Sequence, residues 1–384
     1  MQEVVGVDEA LARVAKVVAD LGLSAQAVAS VPAVASHALT IPRIGYMHSW
    51  LRTQDEGWWR AAFDNYGVPY TYFADIKARQ GGLRAKYDVI VYPTVGSSAK
   101  DQVVGVPMNG KDPIPYKKTA LTPHLGALDT ADDIRGGLGV DGLAELKKFV
   151  EAGGTLIGDG STVEMLAQYG IAAGVSVSTP PQLYTKGAIM RGVFKDKTSP
   201  LAYGYAGKEM PVYFSAAPVI TIGGGAGGGG GYFDPNAPGA NLAQNVTPND
   251  KMGHISPWDP DQAVAKEPAN ADLDPSPFGS QLPTSRTGGA EPTQHPRVVM
   301  SFPAKGDDIL LSGLLTGGQT LQNKALVVDV PQGKGHMVLY ALRPFWRWQT
   351  QGSYFLGFNA LINWDHLDAG APAGGAAPAE KKGL

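Results

Sequence analysis

The chain has no cysteine in its 384 residues. That removes disulfides, thiolate metal sites and a cysteine nucleophile together. It also lacks a dominant charge: 32 Lys and Arg stand against 35 Asp and Glu, a net charge of −3. Neither a basic footprint for nucleic acid nor a charged tail follows from that balance. No apolar run reaches the roughly 18 residues needed to span a bilayer. Neither nucleic acid nor membrane is therefore an expected partner. Met1-Gln2-Glu3-Val4-Val5 has no basic start followed by an apolar core, so no signal peptide is expected and the compartment stays open. The histidines, His37, His48, His124, His254, His295, His336 and His366, carry no Glu at the third position after them, and no His-Glu-x-x-His occurs. A zinc site built from a local motif is excluded, and neither metal nor cofactor is expected.

What is present reads as an α/β protein. Residues 8–21 place Leu11, Val14, Val18 and Leu21 on one helical face closed by Gly22, and 24–30 is expected as a second short helix. Residues 1–40 thus form a helical leader. A regular alternation begins at residue 41. Strand 43–47 is followed by helix 54–66, strand 70–73, a helical turn near 75–79 and the apolar strand Asp88-Val89-Ile90-Val91-Tyr92, ended by Pro93. Such spacing predicts right-handed crossovers and a mostly parallel, doubly wound, flavodoxin-like sheet with helices on both faces.

Residues 94–137, with Pro107, Pro113, Pro115 and Pro123, are too long for a simple connection and are expected as a lid or rim. Helix 140–152, strand 155–157 and helix 162–169 come next. The second half turns to short strands at 189–194, 212–214, 219–222, 298–302, 309–315, 325–330 and 336–342, before a final helix at 354–364. Between them, 223–296 is rich in Gly and Pro and reads as a flexible insertion. Its glycines precede neither Lys-Ser/Thr nor an apolar helix, which argues against a phosphate loop. The α/β domain is expected over 41–367 and a disordered tail over 368–384.

Open α/β sheets bind ligands beyond the carboxyl ends of their strands. Four segments are expected to converge there: His48–Arg52 after the first strand (48–52), 94–98 after the third, 159–162 and 343–351. They bring His48, Trp50, Asp159, Gly160, Ser161, Arg343, Trp346, Arg347 and Trp348, an aromatic and cationic rim suited to a small polar or sugar-like ligand or to a partner surface. Asp55 and Glu56 join the candidates from the start of the helix at 54–66, where carboxylates also complement the helix dipole. The alternative for the rim is structural: the tryptophans pack the loops and Arg343 pairs with Asp55, Glu56 or Asp159.

Gly158-Asp159-Gly160-Ser161-Thr162 forms a sharp turn between strand and helix, the shape of a nucleophile elbow. With Gly153-Gly154-Thr155-Leu156-Ile157 before it, this stretch resembles the class I glutamine amidotransferase-like domain. More narrowly, the chain resembles the C-terminal amidotransferase-like domain of bacterial zinc carboxypeptidase-like proteins of the carboxypeptidase A group. The matching segments include Pro42-Arg43-Ile44-Gly45, Asp55-Glu56-Gly57-Trp58, Leu83-Arg84-Ala85-Lys86-Tyr87-Asp88-Val89-Ile90, Pro200-Leu201-Ala202-Tyr203-Gly204, Val328-Asp329-Val330-Pro331-Gln332-Gly333-Lys334-Gly335 and Arg343-Pro344. They run in order over about residues 42–365.

The departures decide what the resemblance implies. An active member holds a cysteine at the elbow and a later His-Pro-Glu. Here those positions fall at Gly160 and at Arg343-Pro344-Phe345. Glycine has no nucleophile, and arginine cannot accept a proton at neutral pH. Ser161 could replace the nucleophile only with a base in reach, and the sequence places none. No catalytic residue is therefore expected. The resemblance implies a non-catalytic accessory or binding domain, with a zinc peptidase domain as partner in cis or in trans and a parent family often exported. Two alternatives stand beside it: a hydrolase acting on a carbohydrate-type ligand through pocket carboxylates or His48, and an interaction module for a peptidase.

Overall fold

The structure, a computed structural model, describes residues 7–30, 33, 36–215, 217–222 and 295–371. The chain divides into two units, Met1–Ala38 and Leu39–Leu384. In the first, α1 (Val7–Asp20) buries none of its side chains, and its charges pair along the helix as Glu9–Arg13 and Lys16–Asp20. The second helix expected at 24–30 does not form, and those residues are coil and bend. Seven residues cannot repay helix nucleation without a packed face, and none of them is buried.

The second unit holds β1 (Ile44–His48), α2 (Glu56–Tyr66), β2 (Thr71–Ala74), α3 (Asp75–Ala78), α4 (Leu83–Lys86), β3 (Val89–Tyr92), α5 (Ala99–Val104), α6 (Gly139–Glu151), β4 (Thr155–Asp159) and α7 (Ser161–Gln168). The antiparallel strands β5 (Val175–Ser178), β6 (Ala188–Phe194), β7 (Glu209–Phe214), β8 (Val219–Ile222), β9 (Arg297–Ser301) and β10 (Leu310–Ser312) follow. Last come β11 (Ala325–Gln332), β12 (Gly335–Tyr340) and α8 (Tyr354–Ile362). The insertion expected at 223–296 lies outside the described residues, except for His295 and Pro296.

The sheet has one parallel centre and one antiparallel wing. Strands β2, β1, β3, β4 and β12 lie side by side in that order, and every neighbouring pair is parallel. This is the flavodoxin-like order, and it reverses direction at β1. Right-handed crossovers therefore put α2, between β1 and β2, and α6, between β3 and β4, on opposite faces. All residues of β1, β3, β4 and β12 are buried, as expected of parallel strands covered on both sides. From β12 outward the pairing turns antiparallel through β11, β9 and β6, with β7, β8, β5 and β10 attached. The short strands of the second half are this wing.

The loop at 94–137 is not bare coil. It contains α5, whose Ser98 N-cap accepts from the Asp101 N–H at 3.1 Å. At the other end, residues 368–371, expected as the start of the tail, stay largely exposed but are tied down by hydrogen bonds. Arg297 donates to the Ala369 carbonyl, Thr198 to that of Gly370, and His336 Nε2 lies 3.5 Å from Asp368. Burial lowers the His336 pKa, but hydrogen bonds to Asp329 and Asp368 outweigh it and raise it to about 9. Those contacts hold the chain to the sheet past residue 367.

Candidate functional site

The elbow forms where β4 ends. Gly160 has φ 53° and ψ −126°, outside the range of ordinary L residues, and its carbonyl accepts from Val163 and Glu164 to start α7. A Cβ built there would lie 2.6 Å from Thr94 Oγ1 and 3.1 Å from Arg343 Cζ. The space a nucleophilic side chain would need is taken from both sides. Beside it, Asp159 is buried, with Oδ1 accepting from the Thr94 N–H at 2.6 Å and Oδ2 from Trp59 Nε1 at 3.1 Å. Burial raises its pKa, opposed by the Arg343 charge and by those two hydrogen bonds. Ser161 Oγ accepts from the N–H groups of Val95 (3.2 Å) and Gly96 (2.9 Å) and shares a hydrogen bond with Thr94 Oγ1 (3.0 Å). A hydroxyl held by three donors or sharers, with no base among its partners, is a structural plug.

Arg343-Pro344-Phe345 fills the space beside the elbow. Arg343 reaches into the cleft and bonds Asp55 Oδ2 at 3.2 Å. Glu164 is half-buried behind it; burial raises its pKa and the Arg343 charge opposes that rise. Phe345 is buried among Trp59, Phe63, Tyr354 and Phe358, with ring centroids 4.6–6.1 Å away. Trp346 stacks on Tyr213 at 4.6 Å and 12°, and the guanidinium of the exposed Arg347 lies 4.9 Å from the Trp346 ring centroid. Asp55, Trp58, Trp59, Asp159, Arg343, Phe345 and Trp346 line a cleft with about 10 Å³ of free space. That is room for about one water.

His48, Trp50 and Glu56 belong to a different cluster, at the end of β1. His48 is buried, stacks on Tyr72 (4.2 Å, 6°), meets Trp50 edge-on and bonds Asp129 Oδ2 through Nε2 at 2.9 Å. Asp129 also takes Lys77; burial raises its pKa, but the His48 and Lys77 hydrogen bonds prevail and hold it below the usual carboxylate range. Trp50 packs on Tyr116 from the long loop. Glu56 accepts from Tyr72 at 2.8 Å, and burial raises its pKa. Asp75 is fully buried, and burial pushes it up to about 6. His48 Nδ1, Trp50 Nε1, Glu56 Oε2 and Asp75 Oδ2 have no partner among the described residues.

The ten candidates thus divide in two. Asp55, Asp159, Gly160, Ser161, Arg343, Trp346 and Arg347 surround the elbow, whereas His48, Trp50 and Glu56 gather under the long loop. Thr94, Tyr213, Glu164, Asp75, Lys77 and Asp129 were not singled out from the sequence. Thr94 lay in the 94–98 segment expected to converge on the site but was not named among its candidate residues. Asp129 had no signal, since it sits in an irregular loop 81 residues from its histidine. Among the described residues no group of three or more His, Asp or Glu side chains is placed to hold a metal ion.

These features define an α/β domain with a flavodoxin-like parallel centre, an antiparallel wing and an elbow without a nucleophile. No protein-family model matches the chain, and no curated protein matches it in sequence. Among solved structures it is similar to a GMP synthase subunit from Thermoplasma acidophilum, at 8% identity and TM-score 0.40, over 85% of this chain and 94% of that one. It is similar also to a ThuA-like protein from Bacteroides uniformis, at 10% identity and TM-score 0.37, over 88% of this chain and 95% of that one. A cytoplasmic protein from Salmonella typhimurium gives 10% identity and TM-score 0.38, over 83% and 97%. At these values no activity passes from them to this chain. The fold rests on its own strand order and register.

Proposed function

We propose that the chain is a catalytically degenerate amidotransferase-like domain that serves as an accessory or binding module. In the finer form of this reading it is related to the C-terminal part of zinc carboxypeptidase-like proteins and works beside a peptidase domain, in cis or in trans. That finer tie is supported by the ordered sequence segments over 42–365 alone. One observation carries the non-catalytic reading: Thr94 Oγ1 and Arg343 Cζ stand 2.6 and 3.1 Å from where a Cβ at Gly160 would sit. An amidotransferase needs a thiolate there and a base in hydrogen-bond reach. The elbow offers a filled space and a guanidinium. Purified protein is expected to hydrolyse glutamine no faster than buffer; turnover that disappears in Ser161→Ala would overturn the reading.

A further inference from the structure

We propose that the elbow cleft is an anion site held closed by Asp55, and that its ligand is a carboxylate borne on a flat apolar body. The proposal deepens the binding-module reading and rests on it. Its basis is an under-used cation. The Arg343 side chain is 15% exposed, and among the described residues a single hydrogen bond, to Asp55 Oδ2 at 3.2 Å, uses its five N–H groups. A guanidinium normally grips a carboxylate with two parallel bonds of about 2.7–2.9 Å. The Asp55 contact is single and long, so it leaves most of that capacity unspent.

Asp55 is a carboxylate with somewhere else to go. It stands at the N-cap of α2, the position where an aspartate ordinarily accepts the helix's free N–H groups. Here its backbone is helical (φ −73°, ψ −32°) and its side chain caps nothing. An arriving carboxylate that takes Arg343 releases Asp55 to the α2 N-terminus, where the helix dipole favours negative charge. Asp159 and Glu164 also face Arg343, so the arriving carboxylate shares its charge with them.

The walls specify the rest of the ligand. Trp58, Trp59, Phe345 and Trp346 line the cleft, and Trp346 is fixed flat by Tyr213. The turn that presents it is strained: Arg347 and Trp348 both adopt left-handed backbone, at φ 47° and 63°. Consecutive non-glycine residues in that region are sustained only where the surroundings over-determine them, and they cluster at ligand clamps. With Asp55 in place the free space is about 10 Å³, so the ligand can enter only when Asp55 leaves Arg343 and the walls part.

The test is a titration of the full chain with sodium benzoate, against benzamide at matched ionic strength, read by tryptophan fluorescence. Benzoate should shift the emission and benzamide should not. Asp55→Asn, which removes the internal competitor at a quarter-exposed position, should bind benzoate about tenfold tighter. Arg343→Gln should bind at least tenfold more weakly, and Arg343→Lys should fall between it and the wild type. Equal binding of benzoate and benzamide would overturn the proposal, as would an Asp55→Asn affinity no higher than wild type. The second result stands even if the Arg343 variants fail to fold. Glutamine turnover would overturn the non-catalytic reading instead, without moving the benzoate affinities.

Discussion

Two polar clusters lie at the carboxyl ends of the parallel strands, with β3 between them, and they are built on opposite terms. At the end of β4 Asp159, Ser161 and Thr162 are matched. Both Asp159 oxygens accept a hydrogen bond, Ser161 Oγ takes two backbone N–H groups, and Thr162 Oγ1 donates to the Pro93 carbonyl. At the end of β1, four buried polar atoms of His48, Trp50, Glu56 and Asp75 have no partner among the described residues. A buried polar group without a partner costs roughly 1–3 kcal/mol. These elbow groups are therefore paired within the fold. The β1 cluster keeps its charged groups at a cost in stability.

That contrast can be broken most forcefully at Phe345. Phe345→Glu restores the acid that the family resemblance expects, but sets it among Trp59, Phe63, Tyr354 and Phe358. Loss of the buried ring together with an unpaired charge is expected to destabilise by about 4 kcal/mol or more, read from urea unfolding midpoints. A variant as stable as wild type would mean that the elbow still has room for its old chemistry.

The other cluster is tested by pH. Burial holds Asp75 at about 6, above its ordinary value of 3.8. A carboxyl whose folded pKa is raised binds its proton more tightly in the folded state. Its contribution to stability therefore grows as pH falls from about 6 towards about 4, and is lost above that window. The gap between those values corresponds to at most about 3 kcal/mol. Unfolding free energies measured between pH 4 and 7 should show this rise in wild type and a flatter course in Asp75→Asn. Matching curves would show that burial does not raise the Asp75 pKa, and the contrast would fail.

The smallest effect is expected at the turn itself. Gly160→Ala meets both an unfavourable backbone and the Thr94 hydroxyl, at a cost of about 2 kcal/mol, measured by thermal unfolding. Adding Thr94→Ala should recover part of that loss, because the two substitutions share one contact. An additive pair would mean that strain in the turn, rather than crowding by Thr94, accounts for the whole cost.

The parallel centre was legible because its strands are short apolar runs with sharp ends: Asp88-Val89-Ile90-Val91-Tyr92 before Pro93, and Thr155–Ile157 (155–157) before a glycine turn. The strand β5 was not, because Val175-Ser176-Val177-Ser178 alternates at an edge with only Val175 buried. The helix α5 hid within a proline-rich loop, although Ser98 followed at the third position by Asp101 is a start signal. At the site, Gly160 was visible as a position without a nucleophilic side chain. Its burial under Thr94 was not, because the crowding depends on the 94–98 segment folding back over the elbow.

By itself the sequence determined the α/β alternation, the glycine turn and the residue types at Gly160, Arg343 and Phe345. Those follow from residue type and short-range spacing, which are local properties of the chain. Tertiary structure alone decided that the pocket candidates form two clusters, that Arg343 pairs with Asp55, and that Asp129 holds His48. Such contacts join residues 81 to 288 positions apart. They are set by the order in which strands enter the sheet and by loops packed over their ends, and no local pattern encodes either.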